Sequence, residues 1–313
     1  MNDISEKKFY RSLSALIRPG QILKSGGWPA VFGRRAPLEM EIGFGNGEYL
    51  ARASQAAPER DFVGVELAWN SLKRALRRLN APPRNNVKLL HLPVKSALRY
   101  LFEPQSLSAV RVFFPVPWPN EKQSSKRIFS TIFFNLLADR LTADGIFHLV
   151  TDHQGLALWT KEQARDSAIE LDYAEHQALL DTKYERKWLS SGQEVFYHLS
   201  GRQKNHPKTQ SPLELYDMSP RYSQLIDPQN YHPCDLSGEP TVVFGDFLFD
   251  DTRQEGLLRT KVVEDHFIQE FHIKISRQSD RRFKLCCALN DQVLPTRGVA
   301  LAIALAALEE PSS

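Results

Sequence analysis

Short apolar segments alternate with amphipathic segments between residues 38 and 171, and this alternation constrains the fold of the chain more than any other feature. The apolar segments have the length of buried strands and lie at residues 38–42, 62–66, 87–91, 109–114 and 146–151. The segments between and after them have helical periodicity and lie at residues 48–57, 69–79, 96–102, 128–141 and 156–171. Strands that alternate with helices predict an α/β fold, with a parallel sheet covered on both faces. A last strand of this sheet is predicted at residues 194–199.

The character of the sequence changes after residue 200. Residues 201–240 contain six prolines among polar and aromatic residues, which predicts a connector. Four strand patterns and a final apolar helix follow, at residues 241–249, 257–263, 267–275, 283–289 and 298–308. We therefore predict an α/β domain over residues 1–200, a proline-rich connector over residues 201–240, and a small α+β domain over residues 241–313.

Composition narrows the class of protein. The chain has 313 residues and a net charge of +3, with 42% hydrophobic and 25% charged residues, as in ordinary globular proteins. Its three cysteines, Cys234, Cys286 and Cys287, lack zinc-ligand spacing, so we predict no metal. The N-terminal segment lacks the apolar stretch of a secretory signal, and the apolar run at residues 299–308 is shorter than the roughly 20 residues that span a bilayer. We expect a cytoplasmic protein without a membrane segment.

A glycine-rich loop follows the first predicted strand and opens the first helix. Gly43, Gly45 and Gly47 allow a sharp turn and a close approach of the backbone to a ligand. The second strand ends at Glu66, about twenty residues after the loop, where nucleotide-binding sheets place a carboxylate on a ribose diol. Glu41 precedes the loop and would repel a pyrophosphate, so it suits a cationic ligand such as S-adenosylmethionine. The alternative interpretation is a glycine-rich turn with a solvated glutamate.

The fourth predicted strand ends in the segment FPVPWP at residues 114–119. Its three prolines exclude a helix interior and stiffen the loop. Basic residues follow this loop and also share one face of a predicted helix; they are Lys73, Arg74, Arg77, Arg78, Lys122, Lys126 and Arg127. Clustered cations of this kind bind phosphate, although each run alone is more often a solvated surface.

These motifs, followed by TD at residues 151–152 and TKYE at residues 182–185, occur in the order found in the bacterial tRNA (guanine-N7-)-methyltransferases, which residues 35–200 resemble. The resemblance implies a Rossmann-like sheet that uses S-adenosylmethionine to methylate N7 of a guanine in the variable loop of tRNA. It implies cofactor contacts for Glu41, Gly43, Gly45, Gly47 and Glu66. It implies substrate contacts for Asp152, Thr182, Lys183, Tyr184, Glu185, Lys126 and Arg127. Two simpler interpretations stay open: Asp152 as a helix cap, and Thr182 with Glu185 as a capping box.

Three positions depart from the pattern of this family. The family loop reads FPDPWP, with an aspartate assigned to the active site, and this chain has Val116 there. The lysine usual after the loop is Asn120, and an acid or amide expected after the third strand aligns with Pro93. Guanine N7 carries a lone pair and no proton, so its methylation requires no general base. The sequence leaves three hypotheses: a methyltransferase that works without this aspartate, a catalytically degenerate paralogue that binds RNA or protein, or a methyltransferase with a changed substrate, which the extra C-terminal domain would permit.

Overall fold

The chain forms two compact units in a computed structural model that describes residues 12–80, 82–120, 122–123, 127–177, 183–192, 194–204, 215–265, 267–288 and 290–309. The first unit comprises Met1–Arg18 and Ile22–Leu213, and the second comprises Pro19–Gln21 and Glu214–Ser313. Each of the two units has its own β-sheet.

Two short helices precede the first strand: α1 (Pro19–Ser25), whose residues 19–21 are grouped with the second unit, and α2 (Trp28–Phe32); strands and helices of the first unit then alternate. Its first part contains β1 (Leu38–Ile42), α3 (Glu48–Ala56), β2 (Asp61–Val65), α4 (Trp69–Leu79), β3 (Val87–Leu90), α5 (Val94–Leu101) and β4 (Leu107–Phe113). Its second part contains α6 (Thr131–Arg140), β5 (Leu141–Thr151), α7 (Gln154–Arg165), β6 (Ile169–His176), α8 (Lys183–Ser190) and β7 (Phe196–Gln203).

The seven strands form one sheet in the order β3-β2-β1-β4-β5-β7-β6. The first five strands in this order run parallel to one another, whereas β7 runs antiparallel to both of its neighbours, β5 and β6. The unit is therefore a Rossmann-like α/β sheet, as the alternation predicts. The prediction of a wholly parallel sheet is wrong at β7, because this strand inserts between β5 and β6.

Helix α4 shows why the local sequence folds as it does. Its apolar residues Leu72, Ala75, Leu76 and Leu79 recur at helical spacing, and all are buried. They pack in one cluster with residues of α3 and β2, including Leu50. The basic residues of α4 lie on the opposite, solvent-exposed face.

The region after α7 corrects the predicted helix over residues 156–171. The helix ends at Arg165, and the hydroxyl of Ser167 donates to the carbonyl of Ala164 at 2.8 Å. The chain then forms β6, where Ile169 and Leu171 are buried and alternate with exposed residues. A period of two is typical of a strand with one face toward the core. The predicted helix was too long because it included residues in which the apolar pattern had already changed to this period.

The second unit contains β8 (Arg221–Ser223), β9 (Thr241–Asp250), β10 (Glu255–Glu264), β11 (Phe267–Arg277), β12 (Phe283–Cys287), a 3₁₀ turn (Asn290–Gln292) and α9 (Arg297–Ala306). The strands form an antiparallel sheet in the order β8-β12-β11-β10-β9. One face of this sheet packs against α9, with Ile273, Leu285 and Ile303 in the shared core. Strand β8 lies within residues 201–240, so the segment predicted as a connector contributes to the second sheet.

Candidate active site

The strand order of the first unit reverses between β1 and β4, which are neighbours in the sheet. Helices and loops leave such neighbours in opposite directions, so a crevice opens beyond their carboxyl ends, and ligands of open α/β sheets bind there. The glycine-rich loop follows β1, and the FPVPWP loop follows β4. Both motifs that the sequence analysis singled out therefore lie at this crevice.

The glycine-rich loop requires glycine at each of its three glycine positions. Gly43, Gly45 and Gly47 have φ angles of 68°, 54° and 71°, a left-handed conformation that other residues rarely adopt. At Gly47 there is also no room, because a Cβ atom would lie 2.8 Å from Cβ of Ala75 on α4. The loop is thus held close to α4, with its backbone free of side chains.

Glu66 follows β2, and backbone amides fix its carboxylate against the glycine-rich loop. Its Oε2 accepts from the N–H of Gly45 at 3.2 Å, and its Oε1 accepts from the N–H groups of Leu67 and Ala68 at 2.8 and 2.9 Å. A carboxylate oxygen has about two lone-pair sites, so Oε1 is filled by its two amides, and Oε2 can still accept from a hydroxyl group of a ligand. Binding of ribose hydroxyl groups by Glu66 stays a prediction. The structure supplies a carboxylate that is already held in position to accept a hydrogen bond.

Glu41 is the most unusual residue of the site. Its side chain is buried on β1, and its Oε2 has no hydrogen-bond partner among the residues that the structure describes. Burial raises the pKa of Glu41 from 4.5 to about 8; the N–H of Leu50 and the charge of Arg111 act in the opposite direction, and the charge of Glu66 adds to the rise. A buried carboxyl with an unsatisfied oxygen is costly, so this site fits a ligand that brings a positively charged donor.

The FPVPWP loop is fixed at both ends. At its start, the N–H of Phe114 donates to the carbonyl of Val150 at 2.8 Å, and the ring of Phe114 packs edge-on against Phe196. Near its end, the guanidinium of Arg127 donates to the carbonyl of Trp118. Val116 lies between these anchors with 62% of its surface exposed. A side chain at this position therefore points into open space and not into the core.

The other two departures from the family pattern have structural roles. Pro93 is the residue before α5, where its fixed φ of −61° suits the start of a helix. Asn120 is exposed, and its Oδ1 accepts from the N–H of Lys122 at 3.0 Å in a local turn. Neither residue supplies a charged group to the crevice.

Asp152 follows β5 and is half-buried. The structure assigns the capping of α7 to His153, whose Nδ1 accepts from the N–H of Leu156 at 3.0 Å. The interpretation of Asp152 as the cap of this helix is therefore wrong. Asp152 has no hydrogen-bond or ion-pair partner in the described part of the chain, so its carboxylate is available to a substrate.

The predicted substrate motif after β6 lies only partly in the described chain. Thr182 and Lys126 fall outside the described residues, as does the side chain of Tyr184; Lys183 is exposed at the start of α8. Glu185 is fully buried, and its charge opposes the lowering of the pKa of His198 by burial and by His176. The capping-box interpretation of Thr182 and Glu185 stays a prediction.

An ion pair that the sequence analysis missed joins α8 to the glycine-rich loop. Nη2 of Arg186 lies 2.6 Å from Oε1 of Glu48, the first residue of α3. Burial would raise the pKa of Glu48, but the hydrogen bond and charge of Arg186 outweigh it, so this pKa lies below its usual value. The two residues are 138 positions apart, and no local pattern in the sequence relates them.

Polar residues within the buried strands were also missed, although the sequence contained a signal for them. Arg111 lies between two valines on β4, and His148 lies between phenylalanine and leucine on β5. Nε of Arg111 donates to the buried carboxylate of Glu39 at 3.1 Å. Burial, His198 and Arg111 lower the pKa of His148 to about 4, so this imidazole is neutral at physiological pH. Both side chains line a polar cleft of about 720 Å³ on one face of the sheet.

The described residues contain neither a candidate metal site nor a helix that could span a membrane. No group of histidine, cysteine, aspartate and glutamate side chains there has the arrangement to hold a metal ion. Within the same residues, no helix is long and apolar enough to cross a membrane.

Comparison with known proteins matches the first unit to a family. The family described as "Putative methyltransferase" matches residues 35–198. Proteins named tRNA (guanine-N(7)-)-methyltransferase are similar in sequence: the one from Thermotoga maritima is 35% identical over 57% of this chain and 58% of its own length. The one from Thermus thermophilus is 34% identical over 61% and 64%, and the one from Chlorobium phaeobacteroides is 34% identical over 55% and 84%.

The chain thus spans less than two thirds of the first two relatives. Among solved structures, the 16S rRNA methyltransferase KamB is 13% identical over 56% of this chain and 91% of its own, with a TM-score of 0.44, a likeness too low to carry an argument. The family match extends over more than half of the chain, and the relative from Chlorobium is covered over more than four fifths of its length. The chain therefore belongs to this methyltransferase family, together with the bacterial proteins named tRNA (guanine-N(7)-)-methyltransferase.

Proposed function

We propose that this protein transfers a methyl group from S-adenosylmethionine to N7 of a guanine in tRNA, in the variable loop by family resemblance. The observation that carries the proposal is the unsatisfied, buried carboxyl of Glu41 at the switch point of the sheet. A pyrophosphate beside Glu41 would hold the carboxyl in its protonated form and offer it no donor, whereas the ammonium group of S-adenosylmethionine would provide the missing donor and favour ionisation of the carboxyl. The names of the relatives support the same reaction.

The residues present fit this cofactor. Glu41 would hold its ammonium end, and ionisation of the carboxyl would be favoured by the cation. The left-handed glycines 43, 45 and 47 leave the backbone free to approach the ligand. Glu66, already oriented by three amides, would accept from the ribose hydroxyls. When bound, S-adenosylmethionine supplies an electrophilic methyl group on a sulfonium.

Side chains of the protein would position the guanine and compensate the positive charge that develops on it. Guanine N7 would take the methyl group as its bond to the sulfonium breaks, so the positive charge that the residues around the base must compensate would pass to the base. In-line positioning supplies much of the rate of such a displacement. The Asp152 carboxylate would hold the N–H edge of guanine or stabilise its developing charge, which Val116 cannot do. Glu185 is fully buried, so Asp152 is the better placed of the two acids to meet a substrate.

Helix α4 offers a surface for the phosphates of tRNA. Lys73, Arg74, Arg77 and Arg78 are all exposed on the face opposite its buried apolar stripe. Nε of Arg78 also donates to the carbonyl of Asn46 in the glycine-rich loop at 3.2 Å, so this surface adjoins the cofactor site. Several cations beside one crevice give the electrostatic attraction that RNA binding requires. A tRNA substrate agrees with the expected cytoplasmic location.

Val116 is the observation that favours the second hypothesis, a paralogue that binds RNA or protein without catalysis. The two hypotheses separate in one pair of measurements. Calorimetric titration with S-adenosylmethionine tests the cofactor site, with Glu41→Gln as the control that lacks the ionisable group. Transfer of a radiolabelled methyl group to unmodified tRNA, followed by strand cleavage at N7-methylguanine, tests the reaction. Absence of binding at millimolar cofactor would refute the enzyme; binding without transfer would favour the paralogue.

A further inference from the structure

Arg127, which the sequence analysis assigned to the substrate, makes a different set of contacts in the structure. Its Nε and Nη2 both donate to the carbonyl of Trp118, at 3.1 and 2.9 Å, and Nη2 also reaches the carbonyl of Pro119 at 3.4 Å. The guanidinium carbon lies 5.0 Å from the ring centroid of Trp159 on α7. One side chain therefore joins the FPVPWP loop to a helix of the first unit.

The loop that Arg127 contacts has a costly backbone conformation. Phe114 and Trp118 have φ angles of 52° and 44°, in the left-handed region that residues other than glycine rarely occupy. Each such residue costs on the order of 1–3 kcal/mol and persists only where its surroundings enforce the conformation. At Phe114 the bond to Val150 and the packing against Phe196 do so. At Trp118 the fork of Arg127 holds the carbonyl.

The geometry of this contact suits arginine and not a point charge. The guanidinium is planar, so Nε and Nη2 can donate two converging hydrogen bonds to one carbonyl oxygen while its face lies over an indole. A lysine ammonium in the same place would keep the positive charge but lose both the fork and the stacking. Two of the three guanidinium nitrogens already donate to the loop, which leaves Nη1 for any other partner.

We infer that Arg127 is a positioning residue: through the Trp118 carbonyl and the Trp159 ring it fixes the FPVPWP loop at the crevice, and it does not serve tRNA binding. This inference rests on the proposed function, because the loop is useful only if a base is presented to it. Misplacement of a reacting group by about 1 Å costs on the order of 10²-fold in rate, so a loosened loop should lower turnover strongly. Since the proposed phosphate-binding surface lies on α4, affinity for tRNA should change little.

The test compares Arg127→Ala, Arg127→Lys and Trp159→Leu with wild type. Arg165→Lys is the matched control, because Arg165 is an exposed arginine at the end of α7 that pairs with Glu162. We expect kcat to fall about 10²-fold in both Arg127 variants, and less in Trp159→Leu. The KM for tRNA and the salt dependence of tRNA binding should stay within about two-fold of wild type, because no phosphate contact is lost. Hydrogen exchange at the N–H groups of Phe114, Val116, Trp118 and Asn120 should become faster; the three prolines between them have no N–H group.

Two results would overturn the inference. If Arg127→Lys keeps full turnover while Arg127→Ala flattens the salt dependence of binding by about one unit of slope, Arg127 is a phosphate contact. If exchange in residues 114–120 is the same in Arg127→Ala and wild type, the contact does not fix the loop. A wild type that transfers no methyl group would refute the proposed function instead, and the exchange measurement would still decide whether Arg127 fixes the loop.

Discussion

Replacing Glu41 by glutamine should make the ligand-free protein more stable at neutral and alkaline pH. Burial raises the pKa of Glu41 from 4.5 to about 8, so the folded protein keeps a proton that the unfolded chain releases. The stability contributed by this neutral carboxyl is fully present below pH 4.5 and is lost as the pH rises through about 8. Each pH unit in this interval costs about 1.4 kcal/mol, which gives roughly 3 kcal/mol at pH 7 and roughly 4–5 kcal/mol above pH 8. Glutamine does not ionise and avoids this loss.

The assay is urea unfolding of both proteins at several pH values between 4.5 and 9. The difference between their free energies of unfolding cancels the other titrating groups, so it isolates position 41. Glu39→Gln is the control on the same strand: Glu39 is buried too, but Arg60 and Arg111 lie 2.8 and 3.1 Å from its oxygens. Its loss should destabilise the protein across this pH range, because it removes the buried carboxylate that pairs with both arginines.

Addition of S-adenosylmethionine should reverse the ranking of wild type and Glu41→Gln. A cation beside Glu41 lowers its pKa, so binding below pH 8 should release a proton and stabilise the wild type more than the variant. Parallel curves of stability against pH for the two ligand-free proteins would refute the argument, because they would show that Glu41 does not carry a raised pKa.

Three further predictions concern the cofactor, the RNA and the FPVPWP loop. Glu66→Ala should weaken binding of S-adenosylmethionine by about 1.5–3 kcal/mol, the range for hydrogen bonds to a charged group, as measured by calorimetry. Arg77→Ala should flatten the negative slope of log affinity for tRNA against log salt by about one, while an unchanged slope would mean that this residue does not contact phosphate. Val116→Asp should raise methyl transfer to unmodified tRNA ten-fold or more, about 1.4 kcal/mol, at little cost in stability because the position is exposed. If the wild type already transfers methyl groups rapidly and Val116→Asp is no faster, Val116 does not mark a missing catalytic group.

Much of the first unit could be predicted because its elements have strong periodicity. Helix α4 was predicted at residues 69–79 and is observed at Trp69–Leu79, since its apolar residues recur at a clear helical spacing. The antiparallel position of β7 could not be predicted, because strand order depends on which edges remain free after the rest of the sheet has formed. The helix predicted over residues 156–171 was too long for a different reason. The apolar pattern changes from a period of 3.6 to a period of 2 over too few residues to be recognised from the sequence alone.

The candidate site was predictable in its motifs but not in its electrostatics. The sequence identifies Glu41 and Glu66 equally well as acids at strand ends, yet three amides satisfy Glu66 and one oxygen of Glu41 has no described partner. This difference depends on how closely α3 covers β1, which no local pattern encodes. The contact of Arg127 with Trp118 was hidden because it requires a left-handed conformation at a tryptophan. Local propensity argues against such a conformation.

Strand β1 determines which sequence changes the sheet can accept during evolution. Glu39 and Glu41 face one side of the sheet, while Met40 and Ile42 face the other and align with valines of β2 and β4. Insertion or deletion of a single residue inside the strand would exchange the two sides. Both carboxylates would then enter the valine layer, and apolar side chains would replace the acid that pairs with Arg111. Changes in length should therefore occur only in the loops that flank β1, whereas the strand itself can change only by substitution, one side chain at a time.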